Sequence, residues 1–124
     1  MNSFKTIKTS SEGIYKEKGS KFIAFAIPTA TDTQFKEAQA RIKKDYSDAG
    51  HHCYAFSIGS EGKLYRHSDD GEPNNSAGKP IYGQLLSFGV TNVTIIVIRY
   101  FGGIKLGVGG LITAYKEAAK DALN

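Results

Sequence analysis

The stretch from Val93 to Phe101 constrains this chain more than any other. It is dominated by β-branched residues and contains the uninterrupted apolar run Ile95-Ile96-Val97-Ile98. A run of that length between turn signals reads as a buried strand, and its composition places it centrally in a sheet. It leads directly into Gly102-Gly103-Ile104-Lys105-Leu106-Gly107-Val108-Gly109-Gly110, which holds five of the fourteen glycines. Beyond it, Leu111, Tyr115, Ala118 and Ala122 form an apolar stripe that predicts a closing helix to about Leu123. Strand, glycine loop and helix in that order is a layout used to hold phosphate, because free amides and the helix dipole converge there.

The rest of the sequence supplies partners for that strand. Phe4 to Ile27 reads as two strands with a polar turn at Lys16–Ser20. The second shows Ile23, Phe25 and Ile27 at period two, and Pro28 is expected to end its ladder. Thr31 with Gln34 three residues on fits a capping box. Phe35, Ala38, Ile42 and Tyr46 then share one face of a helix from Thr31 to about Tyr46, which is expected to end near Asp48-Ala49-Gly50. His52–Ile58 and Lys63–Ser68 form a hairpin around Gly59-Ser60-Glu61-Gly62. Asp69 to Lys79 is a polar loop, and Pro80 opens a helix that Gly89 ends. The order β-β-α-β-β-α-β-α predicts an α+β domain: a single mixed sheet with helices on one face. At 124 residues the chain is one domain.

Charge and cysteine content narrow the setting. The formal net charge is +4. Residues 1–45 carry nine Lys and Arg against five Asp and Glu, and the remainder carries seven of each. An anionic partner is therefore permitted. A single cysteine, Cys53, excludes an internal disulfide. Met1-Asn2-Ser3-Phe4-Lys5 has no apolar leader run, and nothing is long and apolar enough to span a membrane. A reducing, cytoplasmic location is the expectation.

Four constellations are candidates for chemistry. Asp69, Asp70 and Glu72 are three carboxylates within four residues, suited to a divalent cation, to acid–base work, or simply to capping backbone amides. Gly78 and Lys79 stand at a helix start that favours an anion. In the second glycine stretch, Arg99 and Lys105 join Gly102, Gly103, Gly107, Gly109 and Gly110 as an anion or nucleic-acid cradle, with tight helix packing as the alternative. Neither standard nucleotide loop fits: Val108 stands where a Walker loop needs lysine, and Ile112 where a dinucleotide fingerprint needs glycine. His51, His52, Cys53 and His67 lack zinc spacing, and no metal or cofactor is implied. Tyr100 and Phe101 beside Arg99 are the best aromatic candidates for stacking on single-stranded nucleic acid.

Gly19-Ser20-Lys21-Phe22, Ala49-Gly50-His51-His52-Cys53-Tyr54-Ala55-Phe56, Asp69-Asp70-Gly71-Glu72-Pro73 with Ala77-Gly78-Lys79-Pro80, and Arg99 through Leu111 with Ala114-Tyr115 resemble, in order and spacing, the Impact (YigZ-like) family. The resemblance implies the left-handed β-α-β fold shared with a small-subunit ribosomal protein, elongation factor G domain IV and the GHMP kinases. It also implies a second, ferredoxin-like domain after the last helix. That domain is expected to be absent here, with residues 1–124 forming the N-terminal Impact domain.

Three functions follow as expectations. The first is a non-enzymatic domain in translation or stress control that binds RNA, the ribosome or a translation-related protein through the two glycine loops. Lys79, Arg99 and Lys105 would then contact phosphates. The second is a phosphoryl-transfer or hydrolytic enzyme with Asp69, Asp70 and Glu72 on a metal. The third is a protein-interaction module using a surface such as Arg41, Lys43 and Lys44.

Overall fold

A computed structural model describes residues 4–124; Met1, Asn2 and Ser3, part of the expected leaderless start, lie outside the described residues. The elements are β1 (Ser11–Glu17), β2 (Ser20–Pro28), α1 (Asp32–Asp45), β3 (His51–Ile58), β4 (Leu64–Ser68), α2 (Gly78–Phe88), β5 (Val93–Tyr100) and α3 (Gly107–Leu123). The order is the expected one. The strands form a single sheet, β1-β2-β5-β3-β4, with β5 at its centre. Each ladder between these strands is antiparallel, and outside them an isolated parallel bridge joins Lys5 to Val90. Because β2 and β3 both run antiparallel to β5, they are parallel to each other, and α1 connects them across it as a β-α-β unit.

The helices do not share one face. Phe22, Ala24, Ala26, Cys53, Ala55, Ile95 and Val97 pack against Ile81 and Leu85 of α2 and Leu111, Ala114, Tyr115 and Ala118 of α3. Phe25, Ile27, Ile96 and Ile98 point the other way, onto Ala38 and Ile42 of α1. The reason is in the strands themselves. β2 and β5 are apolar on both faces, so one helical layer would leave half of their side chains in water.

Element ends follow local chemistry. Thr31 Oγ1 accepts from the Gln34 amide at 3.1 Å as the capping box predicts, and Gln34 Oε1 reaches back one residue further than the cap, accepting from the Ala30 amide at 2.6 Å. Thr31→Ala should cost about 1 kcal/mol in urea denaturation, with an unchanged slope. The helix caps at Tyr46, as its apolar face predicts, just short of the Asp48-Ala49-Gly50 stop signal. Pro28 ends the ladder as expected, occupying its last rung opposite Val93. Ser11, Glu12 and Gly13 lie within β1. α3 begins at Gly107, four residues before the expected Leu111, so Gly107, Gly109 and Gly110 form its first turn. Glycine disfavours helix by about 1 kcal/mol per residue. Burial of Leu111, Ala114, Tyr115, Ala118 and Ala122 outweighs that cost.

Candidate functional site

The antiparallel register sets Arg99 between Phe22 on β2 and His51 on β3. All three side chains emerge on the α2/α3 face, at the end of the sheet where β5 leaves for the glycine loop. Arg99 is 7% exposed and Glu72 8%. Arg99 Nη1 donates to both Glu72 oxygens, at 3.0 and 2.8 Å. The Tyr115 hydroxyl donates to Glu72 Oε2, and His51 Nε2 lies 3.6 Å from Oε1. A buried charge is costly unless it is paired and hydrogen-bonded, and here each charge neutralises the other. The Arg99 guanidinium also sits against two rings, 5.6 Å from the centre of Phe22 and 5.5 Å from that of Phe101.

This geometry corrects two assignments. Arg99 was expected to meet phosphate, and Glu72 was a candidate for a cation, acid–base or amide-capping role. They are instead each other's partner, enclosed in the core. The three carboxylates of the acidic loop serve three different partners. Asp70 Oδ2 accepts from the His52 amide at 2.7 Å. Asp69 Oδ1 accepts from the amides of Ala77 and Gly78 at 3.1 and 2.9 Å, and Oδ2 from Asn75 at 2.9 Å. Asp69 thus fills the anion position at the start of α2. Gly78 accordingly is not an open anion cradle. Its role is packing: a Cβ there would stand 2.6 Å from the Ser68 amide nitrogen. Among the described residues no three His, Cys, Asp or Glu side chains converge as a metal site.

The histidines and the cysteine divide as strand alternation dictates. His52 faces α1, its Nε2 2.8 Å from the Tyr46 carbonyl. His51 faces the buried pair and sits 2.8 Å from the Asp70 carbonyl through Nδ1. His67 packs near the Tyr82 ring. Cys53 is fully buried and donates to the Asp69 carbonyl at 3.0 Å. Burial pushes its thiol far up, and the nearby Tyr115 hydroxyl offsets only part of this. Burial likewise raises the Tyr115 hydroxyl, reinforced by Cys53 and Glu72. Reactivity follows the thiolate. Folded protein at pH 8 should therefore resist a thiol-labelling reagent that modifies the urea-unfolded chain within minutes.

The glycine loop is different in kind. α3 has Leu106 at its N-cap, and among the described residues no side chain caps its first amides. Lys105 is exposed just before it, and Lys79 is exposed in the first turn of α2. Lys79, Ile112 and Lys116 line a groove between α2 and α3. Gly103 and Gly107 hold left-handed φ values of 89° and 75° at the two ends of the loop. Gly109 has open space where a side chain would lie, while Gly110 lies against Leu106. Gly102 meets the backbone of Gly19 and donates to Ser20 Oγ at 3.1 Å.

Two features escaped the sequence reading. Glu72, Arg99 and Tyr115 form one network although 27 and 43 residues separate Glu72 from its partners. Phe101, Ile104, Val108 and Ile112 are 59, 54, 51 and 38% exposed, so large apolar side chains surround the open start of α3. The sequence signal for the second was the placement of Ile104 and Val108 among glycines, outside any apolar stripe. Of the two aromatic candidates, Tyr100 turns to the α1 face, where its hydroxyl donates to Asp48 at 2.9 Å.

Comparison with known proteins bears on the whole arrangement. The family model of the Impact N-terminal domain matches residues 18–123. The chain is 36% identical over its full length to IMPACT family member YvyE of Bacillus subtilis, covering 57% of that protein. It is 40% identical over 108 residues to IMPACT family member YigZ of Escherichia coli, covering 86% of this chain and 53% of that one. The chain thus spans about half the length of these curated relatives. A crystal structure of a hypothetical protein superposes with a TM-score of 0.94 at 36% identity, over 99% of this chain and 61% of that one. The two-domain translational regulator Yih1 shares the fold, with a TM-score of 0.56 at 22% identity, over 96% of this chain and 48% of that one. No described helix is long and apolar enough to cross a membrane. The match of sequence and fold from the β1–β2 turn to the last helix makes this chain a member of the Impact family, corresponding to its N-terminal domain.

Proposed function

We infer that this is a non-enzymatic binding domain of translation control, which takes the phosphate backbone of RNA at the glycine loop and the first turn of α3. The observation that carries the reading is the contrast between the two glycine-flanked helix starts. α2 is closed by Asp69, whereas α3 opens on exposed glycines without a side-chain cap. Uncapped amides and the positive end of a helix dipole favour phosphate oxygens. Lys79, Lys105 and Lys116 add charge, and among the described residues none of them is in an ion pair. The translational setting draws on the fold shared with the translational regulator Yih1. The buried pairing of Glu72 with Arg99 weighs against the catalytic alternative, since it withdraws both from any substrate.

Fluorescence anisotropy with labelled single-stranded RNA at several salt concentrations tests this. Log affinity should fall linearly with log salt, at a slope of about −0.7 per phosphate contact, to a total of roughly two to four contacts. The Lys79→Ala and Lys105→Ala variants should each flatten that slope. No binding at low salt would remove the RNA reading. The exposed Ile104, Val108 and Ile112 favour a second reading, a protein partner docked on the same face.

A further inference from the structure

We propose that the outer face of the Phe101 ring is a stacking platform for one unpaired nucleobase, which makes this surface selective for single-stranded over duplex RNA. The proposal rests on the phosphate-binding reading above and adds the base to it. Phe101 is 59% exposed, although it directly follows the most buried strand of the domain. A large aromatic side chain is normally covered. Among the described residues its one ring or cation contact is the Arg99 guanidinium, 5.5 Å from the ring centre.

The support behind the ring is rigid. Arg99 is fixed by Glu72 at 2.8 and 3.0 Å and backed by Phe22, 5.6 Å from the guanidinium carbon. The next residue, Gly102, is tied to Ser20 Oγ and lies against the Gly19 backbone. Neither Arg99 nor the chain at Gly102 can readily move, so Phe101 loses little freedom on meeting a flat ligand.

The charge around the ring selects the occupant. Lys105 lies four residues on, and the open amides of α3 begin two residues after that. An aromatic face followed within six residues by an exposed lysine and uncapped amides complements a base whose flanking phosphates are anionic. In a duplex the bases are stacked and paired, so their faces cannot reach a protein ring.

The test compares three probes by anisotropy or by competition: a labelled single-stranded oligouridine, an RNA duplex of equal length, and inorganic polyphosphate. The parent should prefer the single strand to the duplex. Phe101→Leu should weaken oligouridine binding about tenfold and leave polyphosphate binding unchanged, and Phe101→Tyr should bind as the parent does. Because the ring is exposed, the leucine variant keeps the fold. Equal oligouridine affinity for parent and Phe101→Leu, with Lys105→Ala still weakened, overturns the platform and spares the phosphate reading. Equal loss toward oligouridine and polyphosphate also overturns the platform, because the ring would then act through loop shape. Failure of the parent to bind any of the three overturns both.

Discussion

Arg99→Ala should destabilise the domain by about 3–5 kcal/mol, the expected loss when one partner of a buried ion pair is removed. The variant strips the guanidinium from Glu72, which is 8% exposed in the parent, and among the described residues leaves the Tyr115 hydroxyl and His51, 3.6 Å away, to face the carboxylate. It also removes the cation from between Phe22 and Phe101. Arg99→Lys should recover only part of the loss. Nη1 bridges both carboxylate oxygens, and an ammonium on a flexible stem lacks the planar group that packs on the rings. The double variant Arg99→Met with Glu72→Met should be markedly more stable than Arg99→Ala, because no unpaired charge remains. Urea denaturation followed by circular dichroism reads all three as midpoint shifts. An Arg99→Ala midpoint within error of the parent would show that the pair is not buried in solution.

Gly102→Ala should cost at least the upper end of the ~1–3 kcal/mol typical of overpacking. The added Cβ would stand 2.0 Å from the Gly19 carbonyl carbon, 2.3 Å from its oxygen and 2.5 Å from the Ser20 nitrogen. All three are backbone atoms, so no side chain can swing aside. The β1–β2 turn they belong to is itself held at left-handed φ values, 49° at Lys18 and 81° at Gly19. Gly109→Ala is the matched control. Nothing lies within 4 Å of its Cβ position, and the residue is helical. That variant should be neutral or stabilised by up to about 1 kcal/mol. Thermal midpoints of the two variants should therefore move in opposite directions, or one should fall while the other stays.

Local signals carried much of the fold. Thr31 with Gln34 marked the start of α1, Gly89 the end of α2, and the β-branched run the central strand, because each depends on neighbours a few residues away. The placement of α1 was missed for a reason that Phe22 to Ile27 and Ile95 to Ile98 make plain. Strands apolar at odd and even positions alike need cover on both faces, and the period-two pattern of Ile23, Phe25 and Ile27 drew attention to one face only. α3 was shortened because Gly107, Gly109 and Gly110 are poor helix formers, while packing further along the helix decided its length.

The site was legible as a set of residues but not as a set of roles. Arg99, Glu72, Asp69 and Lys105 were all singled out, yet charge type alone cannot say which cation meets solvent. The β5 register decides it, by turning Arg99 inward beside Phe22 and His51. Asp69 was open to a metal, to acid–base work or to amides, and the close approach of α2 to the end of β4 selects the amides.

The central claim is that the open start of α3, and not the acidic loop, is the binding surface. An amide proton–nitrogen correlation spectrum recorded during titration with single-stranded RNA tests it residue by residue. Shifts concentrated at Gly103, Gly107, Val108 and Gly109, with Asn75, Ala77 and Gly78 unmoved on Asp69, are the predicted result. Shifts centred on Asn75, Ala77 and Gly78, or none anywhere at saturating RNA, would contradict it.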